Sequence, residues 1–578
     1  MSILDENEKR LAETLPRGLF YIDGAKTGPR IGLISIAFTV VFLVIAGRLM
    51  ALGLSPDLAR EARTRSGPGV VALRPDIVDR NGQLLATSVS TASIFAEPRN
   101  IVDPDEASEL LNGVFPDLNA SDLRAKLASK KAFAWIARHV TPRQQAEVHR
   151  LGIPGVGFWP ESKRVYPNGR LAAHVLGATN IDGTGIAGIE KYLDTHGLDD
   201  LSRAGLNIER GDLKPVTLSL DLRVQHALQE ELEKGLRKYK AAAAAGVVYD
   251  VNSGEVLALS SLPDFDPFNP ADALDPARIN RINVGVFEMG STLKALTTAM
   301  ALDSGKVGIN STFDTSTGVL RWGKQTIHEY HGTGRSLTVP EVFVHSSNIG
   351  SAKMALMVGV QGHQEFLRKM GMLDRLRTEL PESAAPIVPS RWGELNTMTI
   401  AFGHGLAVAP LQAVMAVGAL VNGGKLIRPT FLKRSTPEAS EQAQQVVKPE
   451  TSEALRYVMR LNAVKGSASR AAVPGYFVGG KTGTAEKVIN GRYAHDRLFT
   501  TFMAIVPADA PKYLFLTVMD EPQGIPETFG QAAAAWNSGA VTGHVIERVA
   551  PMLLAPRFNP PMAPFPTMER LHAWGTQG

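Results

Sequence analysis

The 578-residue chain contains no cysteine, so disulfides, thiol nucleophiles and cysteine-based metal sites are all excluded. It has no surplus of either charge: 61 Lys and Arg stand against 57 Asp and Glu, and the net +4 is small for this length. No dense basic patch interleaved with aromatics occurs, so nothing points to nucleic acid as a partner. No fixed-period repeat runs through the chain, and a solenoid is not expected. Long apolar runs are missing except at one place near the N-terminus. What is there is ordinary globular material, 44% hydrophobic and 20% charged, able to bury a real core. Two or three domains are expected at this length.

The one apolar run, Ile31 to Gly47, holds 17 residues without charge. That is the short end of a membrane span, extendable past Arg48 if the arginine snorkels. The polar lead of 30 residues is long for a signal peptide, and no small-x-small cleavage site follows it. The sequence therefore predicts a cytoplasmic tail over 1–30 and a retained transmembrane anchor over 31–52. Flanking charge does not orient it: Arg17, Lys26 and Arg30 precede the run, and Arg48, Arg60, Arg63 and Arg65 follow.

Beyond the anchor, 53–215 reads as a mixed α/β module. Asn81-Gly82 marks a tight turn between two short strands there. From 216 to 555 the texture changes to an α+β domain. "LDLRVQHALQEELEKGLRKYK" is an amphipathic helix, and "GVVYDVNSGEVLALSS" is a hairpin around Asn252-Ser253-Gly254. "LFTTFMAIV" and "KYLFLTVMD" follow as two more strands. This order predicts an antiparallel sheet with packed helices rather than strict βαβ alternation. A Pro-rich tail occupies 556–578.

Chemistry is signalled at "FEMGSTLKALTTAM", where Ser291 opens a helix and Lys294 lies one turn on. A cation in the first helical turn opposes the helix dipole. A lone S-x-x-K match is weak, but two further stretches follow it. "VHSSNIGSAKMAL" gives Ser346-Ser347-Asn348, 55 residues after Ser291. "YFVGGKTGTAEK" gives Lys481-Thr482-Gly483-Thr484, 135 residues after Ser346 and placed after a short apolar strand. A serine hydroxyl needs a base within hydrogen-bond reach, and a lysine serves only if its pKa falls. Burial, a neighbouring cation and a helix N-terminus all lower it. Ser291 is thus the expected nucleophile and Lys294 its base. Ser346 is placed to relay a proton to a leaving amine, and Asn348 to hold the lysine or a substrate amide. Lys481, Thr482 and Thr484 can receive a carboxylate, with Ser347 and Gly483 assigned to the same substrate cleft. Backbone N–H groups of Ser291 and Thr484 would form the oxyanion hole.

With these motifs in this order the chain resembles the class B penicillin-binding proteins, and more narrowly their septal, FtsI-type members. "RPDIVDRNGQLLA", "RVYPNGRLAAHVLG" and "GIAGIEKYL" resemble the family's N-terminal module, and "AFGHGLAVAPLQ" its transpeptidase domain. The resemblance implies a D,D-transpeptidase that acylates Ser291 with a D-Ala-D-Ala stem peptide and passes the acyl group to a neighbouring stem's amine. It implies β-lactam binding, an N-in anchor in the lipid bilayer, a periplasmic body, and a glycosyltransferase and other division proteins as partners. It implies no cofactor. An elongation role remains an alternative to the septal one. Met289 stands where the family usually has Pro, Pro75 where it has Gly, and His404 where Tyr is common.

His328 and His331 flank Glu329 without an evident third ligand, so solvated loop histidines are expected rather than metal. Asp79-Arg80 is expected to make a turn or ion-pair contact, and Arg164 and Glu190 to pack between modules. A β-lactamase or carboxypeptidase would share the nucleophile and need a water-activating acid, for which Glu382 and Glu394 lie in the right interval. The segment 53–215 carries no paired acids suggesting a glycosyltransferase of its own. A catalytically inert scaffold would not need all three motifs intact.

Overall fold

The computed structural model describes residues 38–48, 74–198, 213–489 and 491–558. The chain divides into two compact units, 1–70 and 71–578. In the first, residues 38–48 form a helix with Phe38, Phe42 and Leu43 exposed. Among the described residues no helix is long and apolar enough to cross a membrane. The tail at 1–30, the rest of the expected 31–52 span and most of the Pro-rich C-terminus lie outside the described residues.

The second unit begins with a five-stranded sheet. Strands β1 (Ile77–Val78), β3 (Ala134–Val140) and β4 (Val156–Val165) all pair antiparallel with the long β2 (Leu84–Ala96). The Asn81-Gly82 turn forms as the sequence requires, with Gly82 at φ +85°. Asp79 shapes this turn, its carboxylate accepting from the backbone N–H groups of Asn81 and Gln83, both at 2.8 Å. One sheet face buries Ile94, Ile136 and Val140 against Leu111, Leu123 and Val148 from three short helices. The fifth strand, β5 (Val216–Thr217), runs parallel to β1 and comes from just beyond the expected boundary at 215.

Arg164 and Glu190 do pack, but inside this module rather than between modules. Glu190 is fully buried and accepts from Arg164 Nε at 2.6 Å and Arg74 Nε at 2.8 Å. Asp79 and Arg80 do take part in the junction with the C-terminal domain. Asp79 accepts from the backbone N–H of Leu222 at 3.0 Å, and Arg80 reaches Glu255 at 3.2 Å.

The C-terminal domain centres on a five-stranded antiparallel sheet. Its strands are β6 (Ala243–Asp250), β7 (Val256–Leu262), β8 (Gly479–Ile489), β9 (Arg492–Val506) and β10 (Tyr513–Asp520), in the order β8-β9-β10-β6-β7. Period-two alternation splits each strand between two cores. Val248, Phe502 and Phe515 meet Leu228 of α1 (Leu222–Lys238). Val247, Met503 and Leu516 face the other way, toward Leu296 of α2 (Lys294–Asp303). Helix α3 (Asn348–Val358) packs beside α2, and α4 (Ser538–Leu553) lies against α1. The predicted α+β arrangement is observed. Two details differ from expectation. Lys481-Thr482-Gly483-Thr484 lies within β8, not after a strand, because the glycine pair at 479–480 opens that strand instead of ending one. α2 is buried on every side, from Lys294 through Ala301, and not along one face only.

Candidate active site

A 3₁₀ turn over Gly290–Leu293 leads into α2 and carries Ser291 at its start. Tight turns of this kind are common at helix N-termini. Lys294, the first residue of α2, is 1% exposed. Its Nζ donates to Asn348 Oδ1 at 2.7 Å, to Ser346 Oγ at 3.1 Å and to the Ser346 carbonyl oxygen. Lys481 Nζ donates to the same Ser346 hydroxyl at 3.0 Å from the opposite side. Ser346 therefore sits between two buried amines, with its backbone held at φ +55°. That left-handed conformation is costly for a serine, and the surrounding bonds fix it. None of the Nζ bonds described for Lys294 runs to Ser291 Oγ, although the two residues share one turn.

The electrostatics match the chemistry. Burial is the main cause holding the Lys294 amine well below its ordinary value, with the charge of Lys481 second and Glu329 opposing. Burial likewise pushes Lys481 down to about 7. A neutral amine keeps a lone pair, and that is the form a base requires.

Asn348 and Ser347 owe their placement to a residue that sequence reasoning missed. The Glu329 carboxylate accepts from the backbone N–H of Asn348 at 2.8 Å and of Ile349 at 3.1 Å, capping α3. Ser347 is the N-cap: its hydroxyl accepts from Gly350 N at 2.9 Å, donates to Glu329, and is 2% exposed. Its assignment to the substrate cleft thus meets a hydroxyl already engaged within the protein. Nothing in the local pattern marked Glu329, which sat between two histidines considered for metal. His328 ends a strand of a small hairpin (Gln325–His328) and is exposed, not a loop residue as expected. Among the described residues no cluster is placed to hold a metal ion.

β8 is an edge strand, so a substrate backbone can lie alongside it. Two glycines seat the Ser291 segment against that strand. Gly290, at φ +55°, lies so near Thr484 that a Cβ would come within 2.7 Å of its carbonyl oxygen. Gly483 lies as close to Met289, where a Cβ would meet the carbonyl oxygen at 2.4 Å. The Ser291 and Thr484 backbones are thereby brought side by side. Thr482 Oγ1 bonds Ser467 at 2.8 Å, and Thr484 Oγ1 accepts from Ala534 N at 3.2 Å, which leaves its own O–H free to donate.

Gly290→Ala is expected to displace Ser291 from β8 and to slow acylation by β-lactams by at least tenfold, read from adduct formation over time. An unchanged rate would contradict the close approach. Glu329→Gln removes the charge that favours protonated Lys294, so the lysine's pKa should fall further. With neutral Lys294 as the expected base, the rise of acylation rate with pH should begin at lower pH; movement to higher pH would contradict this sign.

A sheet flanked by buried helices, with a serine, two amines and a bridging hydroxyl near its edge strand, has the groups that serine acyl transfer requires. The chain belongs to the penicillin-binding protein family: residues 244–541 match the penicillin-binding protein transpeptidase domain and residues 70–196 the penicillin-binding protein dimerisation domain. The chain is 38% identical to a probable peptidoglycan D,D-transpeptidase FtsI of Caulobacter vibrioides, over 84% of this chain and 82% of that protein. It is 30% identical to the peptidoglycan D,D-transpeptidase FtsI of Escherichia coli K12, over 89% and 91% respectively. A peptidoglycan synthetase structure from Bifidobacterium adolescentis shares the fold, with a TM-score of 0.65 at 23% identity, covering 85% of this chain and 97% of that one.

Proposed function

We propose that this protein is a peptidoglycan D,D-transpeptidase acting in division-site wall synthesis, with Ser291 as its acylated nucleophile. The observation that carries the proposal is the Lys294–Ser346–Lys481 chain of hydrogen bonds beside Ser291. Neutral Lys294 takes the Ser291 proton as Oγ attacks the penultimate D-Ala carbonyl. The tetrahedral oxyanion is met by the Ser291 and Thr484 N–H groups. Ser346, bonded to both amines, passes a proton to the departing D-Ala nitrogen. Lys481 with Thr484 receives the terminal carboxylate. The acyl-enzyme then waits for an amine from a second stem.

The hydrolase alternative needs a water-activating acid, and its two candidates are used elsewhere or face solvent. Glu382 accepts from Gly188 N at 3.2 Å, a contact to the N-terminal module, and Glu394 is exposed in the first turn of its helix. The helix at 38–48 and the charge-free run around it support a single membrane anchor, and the likeness to FtsI proteins supports its N-in orientation in the inner membrane with the body periplasmic. An N-terminal module that matches the penicillin-binding protein dimerisation domain supports a partner enzyme that polymerises the glycan.

The purified protein, given a D-Ala-D-Ala stem peptide and an acceptor stem, is expected to release one D-Ala per cross-link. Release without cross-links would make it a carboxypeptidase. Depletion in the cell is expected to give filaments; rounded cells would assign it to elongation.

A further inference from the structure

The second half of the reaction needs an amine to reach the acyl carbon, and His404, Glu288 and Tyr493 cluster beside the segment that carries Ser291. The loop carrying His404 is tied to the nucleophile's own segment. Phe287 and Glu288 pair antiparallel with Val408 and Ala407. Gly403, at φ +99°, lies so close to Gly290 that a Cβ would overlap its carbonyl oxygen at 1.9 Å. Glu288 accepts from Gly405 N at 2.7 Å and from the Tyr493 hydroxyl at 3.2 Å. The Tyr493 ring, from β9, stands edge-on to the His404 imidazole at 5.8 Å. His404 Nδ1 is buried without a partner, so Nε2 is the ring nitrogen left to meet a ligand.

We propose that His404 is the acceptor-side residue of this site, its Nε2 accepting a hydrogen bond from the incoming primary amine and turning the nitrogen lone pair toward the acyl carbon. This rests on the acyl-enzyme at Ser291 proposed above. The amine is cationic in solution, and the carboxylates of Glu288 and Glu486 favour its approach. It loses one proton to solvent on entering. The new C–N bond forms as the bond from the acyl carbon to Ser291 Oγ breaks. The amine's second proton passes to Lys294 and from there to Ser291 Oγ, which regenerates the serine and the neutral lysine.

The groups around His404 keep it an acceptor. Burial first, and the charge of Lys294 second, hold the imidazole below its ordinary value, with Glu486 opposing. Tyr493, whose hydroxyl meets Glu288, also stands against the ring. A protonated imidazole has no lone pair to offer. Aminolysis of the acyl-enzyme should therefore fail as pH drops through the His404 pKa, while attack by water, which does not use this bond, persists.

The test is the ratio of aminolysis to hydrolysis, measured on the full-length protein with a thioester mimic of the donor peptide and D-alanine as the amine. Rates are corrected for the free-base fraction of the amine, and a ratio does not depend on how much acyl-enzyme forms. His404→Ala should lower the ratio at least tenfold at neutral pH. His404→Gln, whose amide oxygen accepts at any pH, should keep the ratio within a few fold but lose its decline toward acid. An unchanged ratio in His404→Ala, or an acid decline that survives in His404→Gln or is missing from the unaltered protein, would overturn the assignment. A penicillin adduct on Ser291 of the unaltered protein reports separately on the serine–lysine reading.

Discussion

Lys294→Ala is expected to slow acylation by penicillin by about 10³-fold, within the range by which a positioned base accelerates proton transfer. The side chain is a buried amine three residues from Ser291, and its surroundings favour the neutral form. The fold should survive, because alanine removes a group whose charged form is costly in this environment. Asn348 and the Ser346 carbonyl lose a donor, but Ser346 Oγ keeps Lys481. Acylation is followed as adduct mass against time, with thermal unfolding alongside. A rate within tenfold of the unaltered protein would remove Lys294 from the role of base.

Glu190→Gln should produce the largest loss of stability. Its carboxylate is fully buried and joins Arg164 and Arg74, both themselves buried, across the N-terminal module. Glutamine keeps one accepting oxygen and turns its amide N–H groups toward the other guanidinium; Arg74 has Asp194 at 2.5 Å as a second partner, whereas Arg164 has the neutral Ser88 hydroxyl at 3.2 Å. Removing one partner of a buried pair leaves an uncompensated charge, worth about 3–5 kcal/mol. The unfolding midpoint in urea should drop accordingly, while folded molecules still acylate at the original rate because the ion pair lies in the other module. A loss under about 1 kcal/mol, the scale of a surface pair, would contradict the account.

The parts of this site that could be read from sequence are those fixed by short-range geometry. Ser291 and Lys294 share one turn, and the two later motifs each occupy a few consecutive residues, so their grouping needed only the order of the motifs. Glu329 was hidden because its role depends on the fold: it approaches the start of α3 from a loop, and no periodicity marks such a contact. Ser347 shows the opposite failure. A serine just before a helix is also ordinary capping grammar, and here the cap has taken its hydroxyl. The strands and α1 followed their apolar spacing. The interior position of α2 did not show, since "KALTTAMALD" mixes threonine with alanine, and threonine hydroxyls satisfied inside the core, as Thr297 is by the Ala401 carbonyl at 2.8 Å, read as polar in sequence. Glu190 and Arg164 could be picked out, but which module they hold together could not, because Arg74 lies 116 residues from its partner.

The central claim is that Ser291 is an acylated nucleophile in a site that keeps water from the acyl-enzyme. Incubating the protein with penicillin and following intact mass, with Ser291→Ala in parallel, tests it most directly. The account predicts a long-lived adduct of one penicillin on Ser291 and none on the variant. An adduct that persists in Ser291→Ala, or one on the unaltered protein that disappears within seconds, would contradict it.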